Sequence, residues 1–550
     1  MLNLTRRSRL PVGAVSKVLN LKAPVGGFNT RDQYSDMPMS DAVQLVNWVP
    51  TPAGLTARQG YQTWATVDDV EAVETLMHYF SSTDQLPATS LFISPTSVPG
   101  KMWAVTKNGI YDVTDTGPTP VASPAISLSG SEAAGVVHST MFANISGSYL
   151  VACSETDGYH IYDGTTWAKV TNVQVTNINP NDLCFPLSWK KRLWFVEQES
   201  TNLWYLPVDS IYGAAVKLDV GPLFKRGGKV EFIANWTLDA GEGIDDLLVI
   251  VGTNGDVLVY KGTDPSSAST FGLVGQWNIG QIPSGRRGFV QYGGDLLVLS
   301  TLGIQPMSFV TRGGQNFLST DKSDYTEKVQ PTFSQESAYS FNQRGWGLYT
   351  LNGQNLLIAT VPNYGSVVNR QYIMNTITNA WGASSGVPMR CAVVAADLMF
   401  SGGDTGTVYI VQRGTKDGVA QDGSGGILIQ GLVQWAYSDF GAPGLLKSFK
   451  MARPYFVCKQ RPNFSTRMLT DFKGGGPADT PATDVPEIPQ GWGIEDWGTA
   501  LWGSSMRDYR QWRDTPSDRG YYGSLIMKTE VPGGTRILSC DILAQVGGTL

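Results

Sequence analysis

The chain has 550 residues, which is too long for one compact core, and no apolar run approaches the ~18 residues of a membrane-spanning helix. Its 41 Lys and Arg against 47 Asp and Glu give a net charge of −6, so it lacks the overall basic footprint of a protein that grips nucleic acid irrespective of sequence. The 5 cysteines have no zinc-site spacing and the 3 histidines no metal-ligand spacing. This pattern predicts reduced, buried thiols in a chain folded in a cytoplasm, without metal or cofactor.

The first residues are basic. Arg6, Arg7, Arg9 and Lys17 lie in residues 1–20 without the apolar core of a signal peptide. We interpret residues 1–20 as an arm that becomes ordered only against a partner, and residues 1–64 as this arm plus the first strands.

Short apolar runs separated by tight turns fill residues 65–411, and residues 246–280 show the pattern most clearly. Runs at 247–251, 257–260 and 271–279 are divided by the turn 252–256 and a polar loop. Such runs are typical of strands, and here they predict strands buried on both faces. Asn254-Gly255 predicts a type I′ hairpin, in which both central residues have positive φ.

Similar turns recur along the chain, on average about 50 residues apart, which is the length of a four-stranded propeller blade. A lone blade cannot bury its faces, so blades stack into a closed ring. The sequence therefore predicts an all-β fold, a β-propeller of six to eight blades over residues 65–411; a string of unrelated β-sandwiches is the alternative. The turns lie at residues 107–111, 156–159, 200–204, 254–255, 301–304, 370–372 and 404–407.

One interval, from residue 303 to residue 371, is longer than the others and predicts an insertion around 312–345. Ser323 is expected to cap a short helix with Glu327 in its first turn, and Pro331 to end it. We interpret this insertion as a loop or short helix that projects from the ring.

The pattern changes after residue 411, which predicts a separate C-terminal β-rich interaction domain over residues 412–550. A Pro- and Gly-rich excursion occupies residues 473–491. Trp492, Trp497 and Trp502 follow at five-residue spacing. They indicate either tight packing, within the chain or against a neighbouring subunit, or a platform on which bases or sugars stack.

Motifs that carry chemistry are weak in this chain. Residues 382–386 match G-x-S-x-G without the strand-to-helix turn that a serine hydrolase needs, and residues 402–409 are close to a structural Asp-box turn. Arg286 and Arg287, in the turn 284–288, could contact a DNA phosphate or a carboxylate of a neighbouring subunit, although a surface salt bridge is commoner. The sequence predicts no enzyme, with no catalytic, cofactor-binding or metal residues, and leaves channel and gate residues unidentified.

Short motifs in a fixed order resemble one family. They begin with Gly26-Gly27, Asn29-Thr30-Arg31-Asp32, Asn47-Trp48 and Arg58-Gln59-Gly60-Tyr61, and continue at 221–228, 277–280, 292–299, 437–441 and 451–454 before the Trp cluster. This order resembles the tail nozzle proteins of short-tailed bacteriophages, also called tail tubular protein B, tail hub or packaged-DNA stabilisation proteins.

The resemblance implies a structural virion protein of the phage tail, assembled in the host cytoplasm. Six copies would form a ring below an adaptor ring, contact tail fibres or spikes, and surround viral DNA that passes non-specifically through a lumen gated by loops. An acidic ring would keep exiting DNA from adhering. The alternatives are a carbohydrate-binding propeller that recognises the host surface and a propeller glycosidase.

Overall fold

The computed structural model describes residues 15–81, 96–239, 244–312, 325–365, 369–476 and 506–547. The chain divides into two compact units. The propeller unit comprises residues 60–376 and 384–427, and the sandwich unit comprises residues 1–59, 377–383 and 428–550. Strands dominate both units, and within the described ranges no helix is long and apolar enough to cross a membrane.

Seven antiparallel groups of three or four strands, here called blades 1 to 7, make up most of the described part of the propeller unit. Each blade is built mainly from consecutive short strands, because β-branched and aromatic runs alternate with Gly- and Asn-containing turns. The strands are Thr75–Tyr79, Lys101–Val105, Gly109–Asp112 and Ile126–Ser127 in blade 1; Val137–Asn144, Gly147–Ser154, Gly158–Tyr162 and Trp167–Lys169 in blade 2; Leu183–Trp189, Arg192–Glu197, Asn202–Tyr205 and Val216–Asp219 in blade 3; Val230–Asp239, Ile244–Gly252, Asp256–Gly262 and Phe271–Asn278 in blade 4; Phe289–Tyr292, Asp295–Ser300 and Gly303–Pro306 in blade 5; Gly347–Leu351, Leu356–Thr360 and Arg370–Asn375 in blade 6; and Cys391–Ala395, Leu398–Gly402, Thr407–Val411 and Tyr61–Thr66 in blade 7.

The blades form a closed ring. Strands of successive blades contact one another, and the inner strand of blade 7, Cys391–Ala395, contacts the inner strand of blade 1, Thr75–Tyr79. The outermost strand of blade 7 is Tyr61–Thr66, which precedes blade 1 in the sequence and pairs antiparallel with Thr407–Val411. Backbone hydrogen bonds therefore join the two ends of the ring, and the prediction of a β-propeller is confirmed.

Smaller elements complete the propeller unit. The strands Val175–Thr176 and Gly213–Ala214 pair in parallel, and Lys416–Val419 lies beside Tyr61–Thr66. The strand Ala380–Ser385 follows blade 6, and its residues 380–383 belong to the sandwich unit. The helices are α1 (Met307–Thr311), α2 (Gln330–Ser340) and the short 3-10 helices Pro180–Asp182, Gly221–Leu223 and Asn352–Gln354.

The hairpin of blade 4 differs from the predicted type I′ turn. Residues 247–251 are all buried, as predicted, and Val251 pairs with Val257. Positive φ occurs at Gly255 (φ 84) but not at Asn254, and the Gly255 N–H donates to Gly252 O at 2.9 Å. A Cβ on Gly255 would lie 2.0 Å from Gly280 O, so close backbone approach requires glycine here.

The sandwich unit consists of two mainly antiparallel sheets packed face to face, with one parallel pair between Gly27–Phe28 and Asp41–Val46. Alternate residues of both sheets fill one core, which includes Leu21, Trp48, Trp435 and Met527. The first sheet contains Val15–Lys22, Trp48–Thr51, Gly54–Ala57, Lys447–Cys458, Arg507–Arg510, Arg513–Asp514, Arg519–Gly520 and Arg536–Val546; the second contains Gly27–Phe28, Asp41–Val46, Asn463–Thr470, Gly523–Val531 and residues 428–435 of Gly425–Trp435.

The division into units differs from the sequence-based boundaries at residues 64 and 411. The structure places them after residues 59 and 427 and joins the two ends of the chain in one unit. The predicted arm is also ordered within the chain from residue 15, because Val15–Lys22 pairs antiparallel with Arg536–Val546 and buries Leu19 and Leu21. Arg6, Arg7 and Arg9 lie outside the described residues.

The predicted insertion contains α2, and Pro331 begins this helix rather than ending it. Proline is well suited to the first helical turn, where its missing N–H has no partner to lose. The helix is anchored to blade 6 by the buried Glu336, which accepts hydrogen bonds from Arg370 Nη1 at 2.8 Å and Tyr372 Oη at 2.7 Å. Ser323, the excursion beyond residue 476, and Trp492, Trp497 and Trp502 lie outside the described residues.

Candidate functional site: two arginines at the axis of the propeller

The turn 284–288 leads into the inner strand of blade 5, so its side chains lie next to the centre of the ring. Gly285 (φ 120) and Arg286 (φ 58) both have positive φ, which makes the turn tight. Arg286 and Arg287 were predicted to lie at a surface. That prediction is wrong for Arg286, whose side chain is 4% exposed, and Arg287 is half-buried.

Arg286 connects blade 5 to blade 4. Its Nη1 donates to Glu231 O at 2.7 Å and to Val230 O at 3.4 Å, and its Nε lies 3.4 Å from Glu155 Oε1. Glu155 also pairs with Arg344 at 2.5 Å. Burial raises the pKa of the Glu231 carboxyl, and the charge of Arg286 opposes that rise. A buried guanidinium with carboxylate and carbonyl partners holds these strands in place.

Arg287 reaches blade 1 from blade 5. Its Nη1 donates to Glu74 O at 2.8 Å and its Nη2 to Thr75 Oγ1 at 2.6 Å. In a seven-membered ring these blades are not neighbours, so the guanidinium must cross the axis. The Arg287 carbonyl also accepts from the Leu348 N–H of blade 6 at 3.0 Å. This one residue therefore joins its own blade 5 to blades 1 and 6.

Cavities lie near the axis among the described residues. Three cavities of about 210, 220 and 560 Å³ lie among the loops and inner strands, and Arg286 lines the first two. Arg390, beside the largest, pairs with Glu74 at 2.6 Å and Asp404 at 3.1 Å. Because the Arg287 side chain alone spans the distance from blade 5 to blade 1, the gap between these two inner strands is narrower than a DNA duplex.

His138, on the inner strand of blade 2, lines the 210 Å³ cavity and is 6% exposed. Among the described residues, its Nε2 has no hydrogen-bond partner. Burial, together with the positive charges of Arg287, Arg286 and Arg344, holds the pKa of His138 well below its usual value, so the imidazole is neutral at pH 7. Sequence reasoning missed this residue, because an isolated histidine carries no spacing signal.

The other sequence candidates do not converge on one site. Ser384 lies buried within the strand Ala380–Ser385, not at a strand-to-helix turn, and Asp404 of the Asp-box-like turn pairs with Arg390. Among the described residues, no group of His, Cys, Asp and Glu could hold a metal ion. All 5 cysteines are free and buried, as predicted, and burial raises the pKa of the Cys391 thiol to about 11.

No family model and no curated protein matches the chain. Three solved structures are similar to the chain at low sequence identity. A crystal structure of BBS1N in complex with ARL6DN is 10% identical over 62% of this chain and 97% of its own, with a TM-score of 0.32. The WD40 β-propeller domain of Doa1 is 9% identical over 64% of this chain and 96% of its own, with a TM-score of 0.35. Raptor of Chaetomium thermophilum is 9% identical over 64% of this chain and 29% of its own, with a TM-score of 0.33.

Proposed function

We propose that this protein is a structural component of a short phage tail, the nozzle ring that retains the genome and then releases it. The observation that carries the proposal is the ordered set of motifs that resembles the nozzle family and runs through both folded units. Motifs at residues 26–59 and 437–454 lie in the sandwich unit, and those at 60–61 and 221–299 lie in the propeller unit.

Several motif residues make internal contacts of the sandwich. The buried Asn29 donates through Nδ2 to Asp41 at 2.8 Å and Asp32 at 2.9 Å. Arg58, 2% exposed, donates through Nε to Asn47 Oδ1 at 2.9 Å. These motif residues therefore stabilise the fold of the sandwich unit. This supports an architecture shared with the nozzle family rather than a shared catalytic site.

The route for DNA lies between copies of the chain in this proposal. Arg287 spans the axis of a single propeller from blade 5 to blade 1, so a lumen wide enough for a duplex requires several copies around a common centre. Closed rings of identical subunits use repeated head-to-tail contacts. We propose six copies, a tail adaptor ring and fibres or spikes as partners, and a position in the virion tail after assembly in the host cytoplasm.

Charge is distributed unevenly between the units, and the net negative charge of the chain comes from the propeller unit. The propeller unit has 21 Lys and Arg against 32 Asp and Glu, a net −11, whereas the sandwich unit has 20 against 15, a net +5. The sandwich unit is thus the part of the chain better suited to lie near phosphates. The propeller unit would repel DNA and face away from it.

Electron microscopy of the purified full chain, alone and with its tail partners, tests the proposal. We expect six-fold rings with an open lumen. A monomer that binds host glycan would favour a carbohydrate-binding propeller instead, and release of sugar from that glycan would favour a glycosidase.

A DNA-binding titration tests which unit faces the duplex. Neutralising the exposed Arg507, Arg510 and Arg519 of the sandwich to Gln should weaken binding of double-stranded DNA at low salt and reduce its salt slope by up to about 3. The matched control neutralises the exposed Lys191, Lys225 and Arg226 of the propeller and should leave binding unchanged. Equal losses in both variants would contradict the assignment.

A further inference from the structure

The three axial cavities differ in charge balance. Glu155, Glu199 and Glu231 face Lys229, Arg286 and Arg344 in the cavity of about 220 Å³, and the cavity of about 560 Å³ has two carboxylates and two arginines. The cavity of about 210 Å³ is lined by Arg286 and Arg287 and by no carboxylate. Of these three cavities, it is the one whose lining residues carry positive charge without a matching negative charge.

Arg287 is the source of that imbalance. Arg286 is neutralised by Glu155, whereas the hydrogen bonds of Arg287 go to a backbone carbonyl and a hydroxyl, Glu74 O and Thr75 Oγ1. Within the described part of the chain, no carboxylate lies within 4.0 Å of the Arg287 guanidinium. A half-buried cation without a counter-ion is costly, because its lost hydration is not replaced by an opposite charge.

Further hydrogen-bonding groups line the same cavity. His138 Nε2 is buried, and no hydrogen-bond partner for it lies in the part of the chain that the structure describes. Tyr349 Oη accepts from the Ala392 N–H at 3.3 Å, which leaves its own proton to donate. The exposed Ser139 lies in the lining, so the cavity is reachable from solvent. The wall therefore offers a cation, a phenol and an imidazole, which together suit an oxygen anion.

We propose that this cavity binds a small oxyanion, a phosphate or a carboxylate, between Arg287, His138 and Tyr349. Its volume of about 210 Å³ is below the ~300–1,000 Å³ usual for drug-sized ligands, which favours an ion over a larger molecule. The anion supplies the missing counter-charge at the axis. Because its ligands come from blades 2, 5 and 6, bound anion stabilises the ring against opening.

The chain's small number of histidines makes the test direct. Full-length protein with ¹³C-labelled histidine is titrated with inorganic phosphate and, separately, with acetate, while chloride serves as the ionic-strength control. We expect a saturable shift of the His138 signal, with His78 and His160 unmoved. A response to phosphate alone identifies a tetrahedral oxyanion, and a response to acetate as well identifies a site that also takes carboxylates.

Two variants and a control locate the binding. Arg287→Gln should weaken phosphate binding at least about tenfold, since a charge-assisted contact is lost. Tyr349→Phe removes only the donating hydroxyl and should weaken binding severalfold, and it serves if Arg287→Gln does not fold. Arg226→Gln, at an exposed arginine of the same unit, should bind as the wild type does. The proposal is overturned if neither phosphate nor acetate moves the His138 signal, or if Arg287→Gln, or Tyr349→Phe in its place, binds the anion with unchanged affinity.

Discussion

Replacing Arg286 by methionine tests whether the axial arginine holds the propeller together. The substitution keeps much of the aliphatic volume but removes the guanidinium that contacts Glu155 and the carbonyls of Val230 and Glu231. Breaking a buried ion pair by removing one partner costs about 3–5 kcal/mol. We expect a loss of this size in the free energy of unfolding of the propeller unit at pH 7. The loss should shrink in acid, where the remaining carboxylates take up protons.

Thiol labelling measures this loss separately in each unit. Cys153, Cys184 and Cys391 are buried in the propeller unit, and Cys458 and Cys540 are buried in the sandwich unit. Labelling under native conditions requires local or global opening. In Arg286→Met, the propeller thiols should react roughly 10²- to 10⁴-fold faster, while the sandwich thiols keep their wild-type rates.

The matched control is Arg226→Met, at an exposed arginine of the propeller unit, which should change stability by no more than about 0.5 kcal/mol. Wild-type labelling rates at Cys153, Cys184 and Cys391 in Arg286→Met would refute the role assigned to the axial arginine. Equal acceleration in both units would show that the effect is not local to the ring.

Three further predictions concern stability. Trp64 lies on the closing strand of blade 7; its ring is 2% exposed and donates a hydrogen bond to Val113 O at 2.8 Å. Trp64→Ala should destabilise this strand by about 3–5 kcal/mol, and Trp64→Phe, which keeps an aromatic ring but loses the hydrogen bond, by about 1–3 kcal/mol. Urea denaturation followed by labelling of Cys391 measures both losses. The pKa values of His138 and His160 are lowered in the folded protein, so the unfolded chain binds protons more readily. The free energy of unfolding should therefore fall as pH drops below about 6.5, by up to about 1.4 kcal/mol per pH unit for each histidine. His138→Asn should make this dependence on pH less steep. Asn29→Ala removes the amide that donates to both Asp32 and Asp41, and should lower the free energy of unfolding of the sandwich unit by about 1–3 kcal/mol. We expect faster labelling of Cys458 and Cys540, with no change at the propeller thiols.

Local patterns predicted the blades because the signals that form them are local. The run at 247–251 is buried as expected, and Gly255 takes the positive φ that a tight turn needs. Strand pairing between distant segments leaves no such signal. Two such pairings were therefore not predicted: Tyr61–Thr66 with Thr407–Val411, and Val15–Lys22 with Arg536–Val546. For the same reason, the predicted domain boundaries differ from those in the structure.

The axial site was predictable only in part. The sequence indicates that Arg286 and Arg287 lie in a turn, but a turn at the inner end of a blade and a turn at its outer edge have the same composition. Only the ring geometry decides that these side chains meet His138 and Glu155 at the centre. Pro331 illustrates a related ambiguity, because proline is compatible with both the start of a helix and its end.

The order of the strands along the chain constrains how the protein is made. Asn20 bonds to Asp541, 521 positions later, and Gln62 donates to Ala420, 358 positions later. At ~5–20 residues per second, a ribosome needs tens of seconds to supply those partners, and meanwhile the early strands expose unpaired edges. Neither unit can be completed until most of the polypeptide has emerged, so we expect folding in cells to depend on chaperones that shield these edges during synthesis.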